Sequence, residues 1–108
     1  MSFQVQEYAY ELIAAVQPLI TRIKRQDRSL ADQLTRAASS IALNIAESSY
    51  LDPGNKRARL FTAAGSANET RAALRVAVAW SYLGAEQAAE ALRLLDRILA
   101  ILWRCTRN

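Results

Sequence analysis

Of 108 residues, 52% are hydrophobic and only three are glycine and two proline, so helix formers dominate every long segment. The formal charge of +4, carried by twelve arginines and two lysines against ten acidic residues, is moderately basic; it admits nucleic acid as a partner and equally suits an ordinary solvated surface. Histidine is absent and cysteine occurs once, which excludes most general-base catalysis, histidine-based metal sites, a zinc site and an internal disulfide.

The sequence has no Gly-rich phosphate loop and no Gly-x-Ser-x-Gly turn, so neither an enzyme nor a bound cofactor is expected. No apolar run approaches the length of about eighteen residues that would predict a membrane span. The N-terminal stretch MSFQVQEYAYEL lacks the basic start and small-residue cleavage site of a signal peptide. Cytoplasmic residence is the expectation, and residues 1–108 read as one all-α domain.

The first helix is predicted over residues 3–24, with Val5, Tyr8, Ala9, Leu12, Ile13, Val16, Leu19, Ile20 and Ile23 on its inward stripe. Pro18 interrupts that stripe and predicts a bend. Arg22, Lys24, Arg25 and Arg28 follow at the helix C-terminus, where the dipole favours cations. The second helix is predicted from Ser29, as its cap, to about Tyr50. Leu30, Leu34, Ala37, Ala38, Ile41 and Ile45 share one face, and Gln33, Arg36, Ser40, Asn44 and Glu47 form a polar stripe along its edge.

Leu51-Asp52-Pro53-Gly54-Asn55 is the clearest turn, with Asp52 as cap and Pro53 in the first helical position. The third helix is predicted to continue to Leu83, ended by Gly84. It carries two apolar faces. One holds Phe61, Gly65, Ala72, Val76, Ala79 and Leu83; the other holds Leu60, Ala64, Ala67, Leu74 and Val78. Since a bundle helix needs one such stripe, the second predicts contact with a neighbouring subunit. The fourth helix is predicted over residues 85–106 with a broad apolar face, Ala88, Leu92, Leu95, Leu99 and Leu102 beside Ala91, Leu94, Ile98, Ile101 and Cys105. Glu90 and Arg93 pair on the wet side, and Cys105 reads as a small buried hydrophobe. Short loops then predict an up-down-up-down antiparallel four-helix bundle.

Packing helices two and three as a hairpin sets Ser40 against Gly65 as a close approach, Arg36 against Glu69 as an ion pair, and Asn44 near Phe61. A buried Asn44 would then hydrogen-bond Ser66, Ser40 or the backbone. Glu47 and Glu69 border the same seam several turns apart, so pairing with arginine is expected of each rather than joint acid-base chemistry.

The run Arg36-Ala37-Ala38-x-Ser40-Ile41-x-x-Asn44-Ile45-Ala46-Glu47, with Phe61, Ala64-Gly65-Ser66 and Glu69 further on and Tyr82-Leu83-Gly84 at the last corner, resembles the signature of a bacterial four-helix-bundle family encoded within intervening sequences of large-subunit ribosomal RNA genes. The chain departs from it at Ala42 and Ser48, where the family usually has Pro and Gly. The resemblance implies a homo-oligomeric ring, typically a pentamer. It also implies a kinship with accessory proteins of diversity-generating retroelements, which bind a reverse transcriptase and nucleic acid through a basic surface.

Two functional readings stay open. In the first, a homo-oligomer binds RNA or DNA, with Lys56, Arg57, Arg59, Arg104 and Arg107 clustered at one end of the bundle and Arg71 and Arg75 one turn apart on the third helix. In the second, the chain is a protein-interaction scaffold whose arginines serve subunit contacts and solubility. Neither reading includes catalysis.

Overall fold

The computed structural model describes the backbone of residues 2–107 and the side chains of residues 4–107. Four helices account for nearly all of them: α1 (Ser2–Lys24), α2 (Arg28–Ser48), α3 (Pro53–Ala79) and α4 (Ala85–Thr106). Each packs on two others, α1 and α3 both lying between α2 and α4, which closes a four-membered antiparallel bundle. The long dimension of 43 Å is close to the length of α3, about 40 Å at 1.5 Å per residue.

The core follows the helical period. Val5, Ala9, Leu12, Val16 and Ile23 of α1 meet Leu34, Ile41 and Ile45 of α2, Leu60, Ala67 and Leu74 of α3, and Leu95, Ile98 and Leu102 of α4, each fully buried or nearly so. Tyr8, Ile13 and Ile20 are half-buried at the stripe's edges. Pro18 lies on the exposed side of α1, which continues through it as one helix. Two faces of α3 are present. Leu60, Ala67 and Leu74 are buried and Ala64 and Val78 half-buried, whereas Phe61, Gly65, Ala72, Val76 and Ala79 are exposed. Alanine dominates the buried stripe of α3, where Ala63, Ala73 and Ala77 join it, so its backbone can come close to its neighbours.

Three local expectations are corrected. Asp27, not Ser29, caps α2: its Oδ1 accepts from the backbone N–H of Leu30 at 2.9 Å. A carboxylate one residue ahead of the helix reaches the third N–H as well as a serine would, and adds a charge that the dipole favours. Asp52 caps α3 as predicted, accepting from the Asn55 N–H at 3.0 Å with Pro53 at the start.

The second correction concerns the end of α3, which stops at Ala79 rather than Leu83. Ser81 takes a left-handed backbone, with φ of 65°. The Tyr82 N–H then donates to the Ala77 carbonyl and the Ser81 N–H to the Val78 carbonyl, both at 2.9 Å. This is the paired hydrogen-bond pattern that closes a helix C-terminus, with serine where glycine is commoner. The chain is thus turned before Gly84, whose N–H donates to Gln87 Oε1 at 2.7 Å as the cap of α4. The third correction, in the α2–α3 register, belongs to the polar seam below.

Candidate functional site

The polar stripe on α2 becomes a seam with α3. Asn44 is 9% exposed and donates through Nδ2 to the Ser40 carbonyl at 2.9 Å and to Ser40 Oγ at 3.0 Å. Ser66 Oγ reaches across from α3 and donates to Ser40 Oγ at 2.8 Å. Arg59 closes the network: its Nη1 donates to Asn44 Oδ1 at 3.2 Å and lies 3.0 Å from Glu47 Oε1. Ser40, Asn44, Glu47, Arg59 and Ser66 are therefore one hydrogen-bonded string, and no buried side-chain polar atom among the described residues lacks a partner.

Two predicted contacts are absent. Arg36 and Glu69 are both exposed, and no ion pair joins them. Gly65 is exposed too, and a Cβ built on it would meet nothing within 4 Å, so it makes no close approach to Ser40. The cross-helix partner of Ser40 is Ser66, one residue further along α3. That shift turns Gly65 outward and aligns Glu47 with Arg59 rather than Arg36 with Glu69.

The seven basic candidates divide among four places. Lys56, Arg57 and Arg104 line one recess of about 550 Å³ at the end of the bundle formed by the start of α3 and the end of α4. Gln4, Leu60, Ile101 and Cys105 also border it, and among the described residues no carboxylate does. Arg57 donates through Nε to the Thr106 carbonyl at 2.6 Å, satisfying one of the orphan acceptors at the C-terminus of α4. The same guanidinium stands 5.4 Å from the centre of the Phe61 ring, and Arg107 stands 5.8 Å from that of Trp103. Arg107 thus joins this end of the molecule.

Arg59 faces α2 and is held by Glu47, with 47% of its side chain exposed. Arg71 sits between α3 and α4, bonded by Nη1 to Asp96 at 3.2 Å and by Nη2 to Asn68 at 3.1 Å. Arg75 lies about 27 Å along α3 from Arg57, given the helical rise, beside Val78, Ala79 and Leu92.

Apolar exposure was only partly visible in the sequence. Phe61 (53%) and Trp103 (61%) border a second recess of about 490 Å³ between α3 and α4, with Gly65 and Leu99 among its lining. Val76, Trp80, Leu43 and Tyr50 are further large exposed side chains. The signal in the sequence for Trp103 is its place off the inward stripe of α4.

Among the described residues there is no group of three or more potential metal ligands, and no helix is long and apolar enough to cross a membrane. Fold and surface define an all-α four-helix bundle whose conspicuous features are a cation-lined end and exposed aromatics, with nothing that indicates catalysis. The chain belongs to the 23S rRNA-intervening sequence protein family, whose profile matches residues 1–104. It is similar in fold to a crystallised protein of unknown function from the S23 ribosomal protein family of Bacteroides thetaiotaomicron VPI-5482. The TM-score is 0.88 at 20% identity, over 96% of this chain and 99% of that one. No curated protein matches the chain.

Proposed function

We propose that the protein is a non-enzymatic homo-oligomer, a ring and by family resemblance a pentamer, that binds the phosphate backbone of RNA or DNA at its basic end. The observation that carries this reading is the recess where Lys56, Arg57 and Arg104 converge, beside Arg107, with no carboxylate among the described residues that line it. Converging cations that lack acidic neighbours repel one another and are relieved by a polyanion. Arg59 and Arg71, each held by a carboxylate of its own chain, contribute less, and Arg75 belongs to a different part of the surface. An accessory role beside a reverse transcriptase would suit such a surface, since a ring of these ends offers several phosphate-binding sites at once.

Assembly would use the outer stripe of α3 from Ala72 to Trp80. Val76 is 42% and Trp80 67% exposed there, with Ala72 and Ala79 between and beside them. The same exposure supports the alternative of a protein-interaction scaffold without nucleic-acid binding. One experiment separates the two. Fluorescence anisotropy with RNA and DNA at about 50 mM salt should give binding that weakens steeply as salt rises, because neutralised phosphates release counterions. Lys56→Glu with Arg104→Glu should abolish it while light scattering reports an unchanged oligomer. Absence of binding at low salt would leave the scaffold; a monomer in light scattering would remove the ring.

A further inference from the structure

The basic end carries exposed rings among its cations, and phosphate contacts alone do not account for them. We propose that this end takes single-stranded rather than duplex nucleic acid, with unpaired bases stacking on Trp103 and Phe61 while Lys56 and Arg104 meet the phosphates. This inference rests on the reading of the basic end as a phosphate site.

Trp103 and Phe61 are 61% and 53% exposed, on opposite walls of the recess between α3 and α4. Arg57 binds the last turn of α4 through the Thr106 carbonyl, so it stands where the two recesses adjoin and places the Phe61 ring next to the cations. Arg107 stands over Trp103 in the same way. Exposed rings beside guanidinium groups suit a single strand, whose bases have π-faces open for stacking and whose phosphates take the cations. A duplex keeps those faces inside its own stack and would leave both rings in water.

A contact between two copies of the chain would also cover the rings, but the charge argues against it at this end. Among the described residues no carboxylate lines the recess of Lys56, Arg57 and Arg104, so a protein surface covering it would have to supply the opposite charge. A two-fold contact of this end with its own counterpart would bring like charge to like charge, and in the proposed ring the subunits meet through the outer stripe of α3 instead. A polyanion brings the opposite.

The two tryptophans lie at opposite ends of the bundle, so Trp80→Phe leaves Trp103 as the sole reporter. Titrating that variant at low salt with oligothymidylate, and separately with a duplex of equal length, should quench Trp103 only with the single strand. The single strand should also bind at least about fivefold more tightly. Trp103→Ala should lower single-strand affinity at least about fivefold and leave duplex affinity unchanged, with Trp103→Phe restoring most of the loss. Equal affinities without quenching would overturn the stacking of bases and leave the phosphate reading standing, whereas no binding of either ligand would remove both. Trp103 shielded from acrylamide before any ligand is added would assign the ring to a subunit contact and overturn the inference by another route.

Discussion

The Tyr82 hydroxyl donates to Asp27 Oδ2 at 3.1 Å, joining the α3–α4 turn to the residue that caps α2. One carboxylate thereby serves two loops at the same end of the bundle: Oδ1 holds the first turn of α2, and Oδ2 holds the corner that follows the left-handed Ser81. Partial burial, and then the Asp27 carboxylate, push the Tyr82 phenol above its ordinary value.

A phenol whose folded value is raised stabilises the fold fully below the unfolded tyrosine value and loses that contribution as pH rises through the folded one. Stability should therefore decline on the alkaline side, beyond a pH of about 10. Thermal melts of the wild type and Tyr82→Phe across neutral and alkaline pH check this. The variant should melt a few degrees lower at neutrality, and the two should converge at alkaline pH. Parallel curves would show that the Asp27 contact is not responsible.

Asp52 titrates in the opposite sense. Hydrogen bonds from the Asn55 backbone and side chain hold its carboxyl below the ordinary range. Its stabilisation is complete above the unfolded value and disappears as pH falls through the folded one. Asp52→Asn should lower the melting temperature modestly at neutrality and cost nothing in strong acid; an equal deficit at both pH values would refute the assignment.

Ser81 occupies a backbone region that costs a residue with a Cβ about 1 kcal/mol. Ser81→Gly should raise the unfolding free energy by about that amount in urea titrations, with an unchanged circular dichroism spectrum. A destabilised variant would mean that the serine hydroxyl matters more than the turn.

Removing Asn44 should be costly because it is nearly buried and connects both sides of the α2–α3 seam. Asn44→Ala removes the Arg59 bond and both bonds to Ser40, at its carbonyl and its hydroxyl, for a loss of about 1–3 kcal/mol in chemical denaturation. A double-mutant cycle of Ser40→Ala with Ser66→Ala should give a coupling of about 0.5–1.5 kcal/mol, the usual net value of one neutral hydrogen bond. Additive losses would place the value of the seam in packing instead.

Val76 separates stability from assembly. It lies on α3 and is 42% exposed on the outer stripe of that helix, outside the core of its own chain. Val76→Arg should leave the helical content intact and reduce the oligomer to smaller species in light scattering, because a long charged side chain would stand in the proposed contact. An unchanged oligomer would move that contact off the α3 stripe.

Much of this molecule was legible without coordinates. Four helices, their inward stripes, the Asp52–Pro53 start of α3 and the bounds of α4 follow from periodicity and capping chemistry, which act over a few residues. The family signature on α2 and α3 was legible in the same way. Periodicity could not say where α3 stops, since Trp80 to Leu83 continue a helical pattern and only the left-handed turn at Ser81 breaks it. Nor could it decide the register of α2 against α3. A slip of one residue exchanges Gly65 for Ser66 opposite Ser40, leaves Arg36 and Glu69 apart, and gives Asn44 and Glu47 to Arg59. Pairing across helices depends on how all four cores pack together, a sum over distant side chains that no local spacing encodes. The meeting of Lys56 and Arg57 with Arg104, nearly half the chain away, belongs to tertiary structure for the same reason.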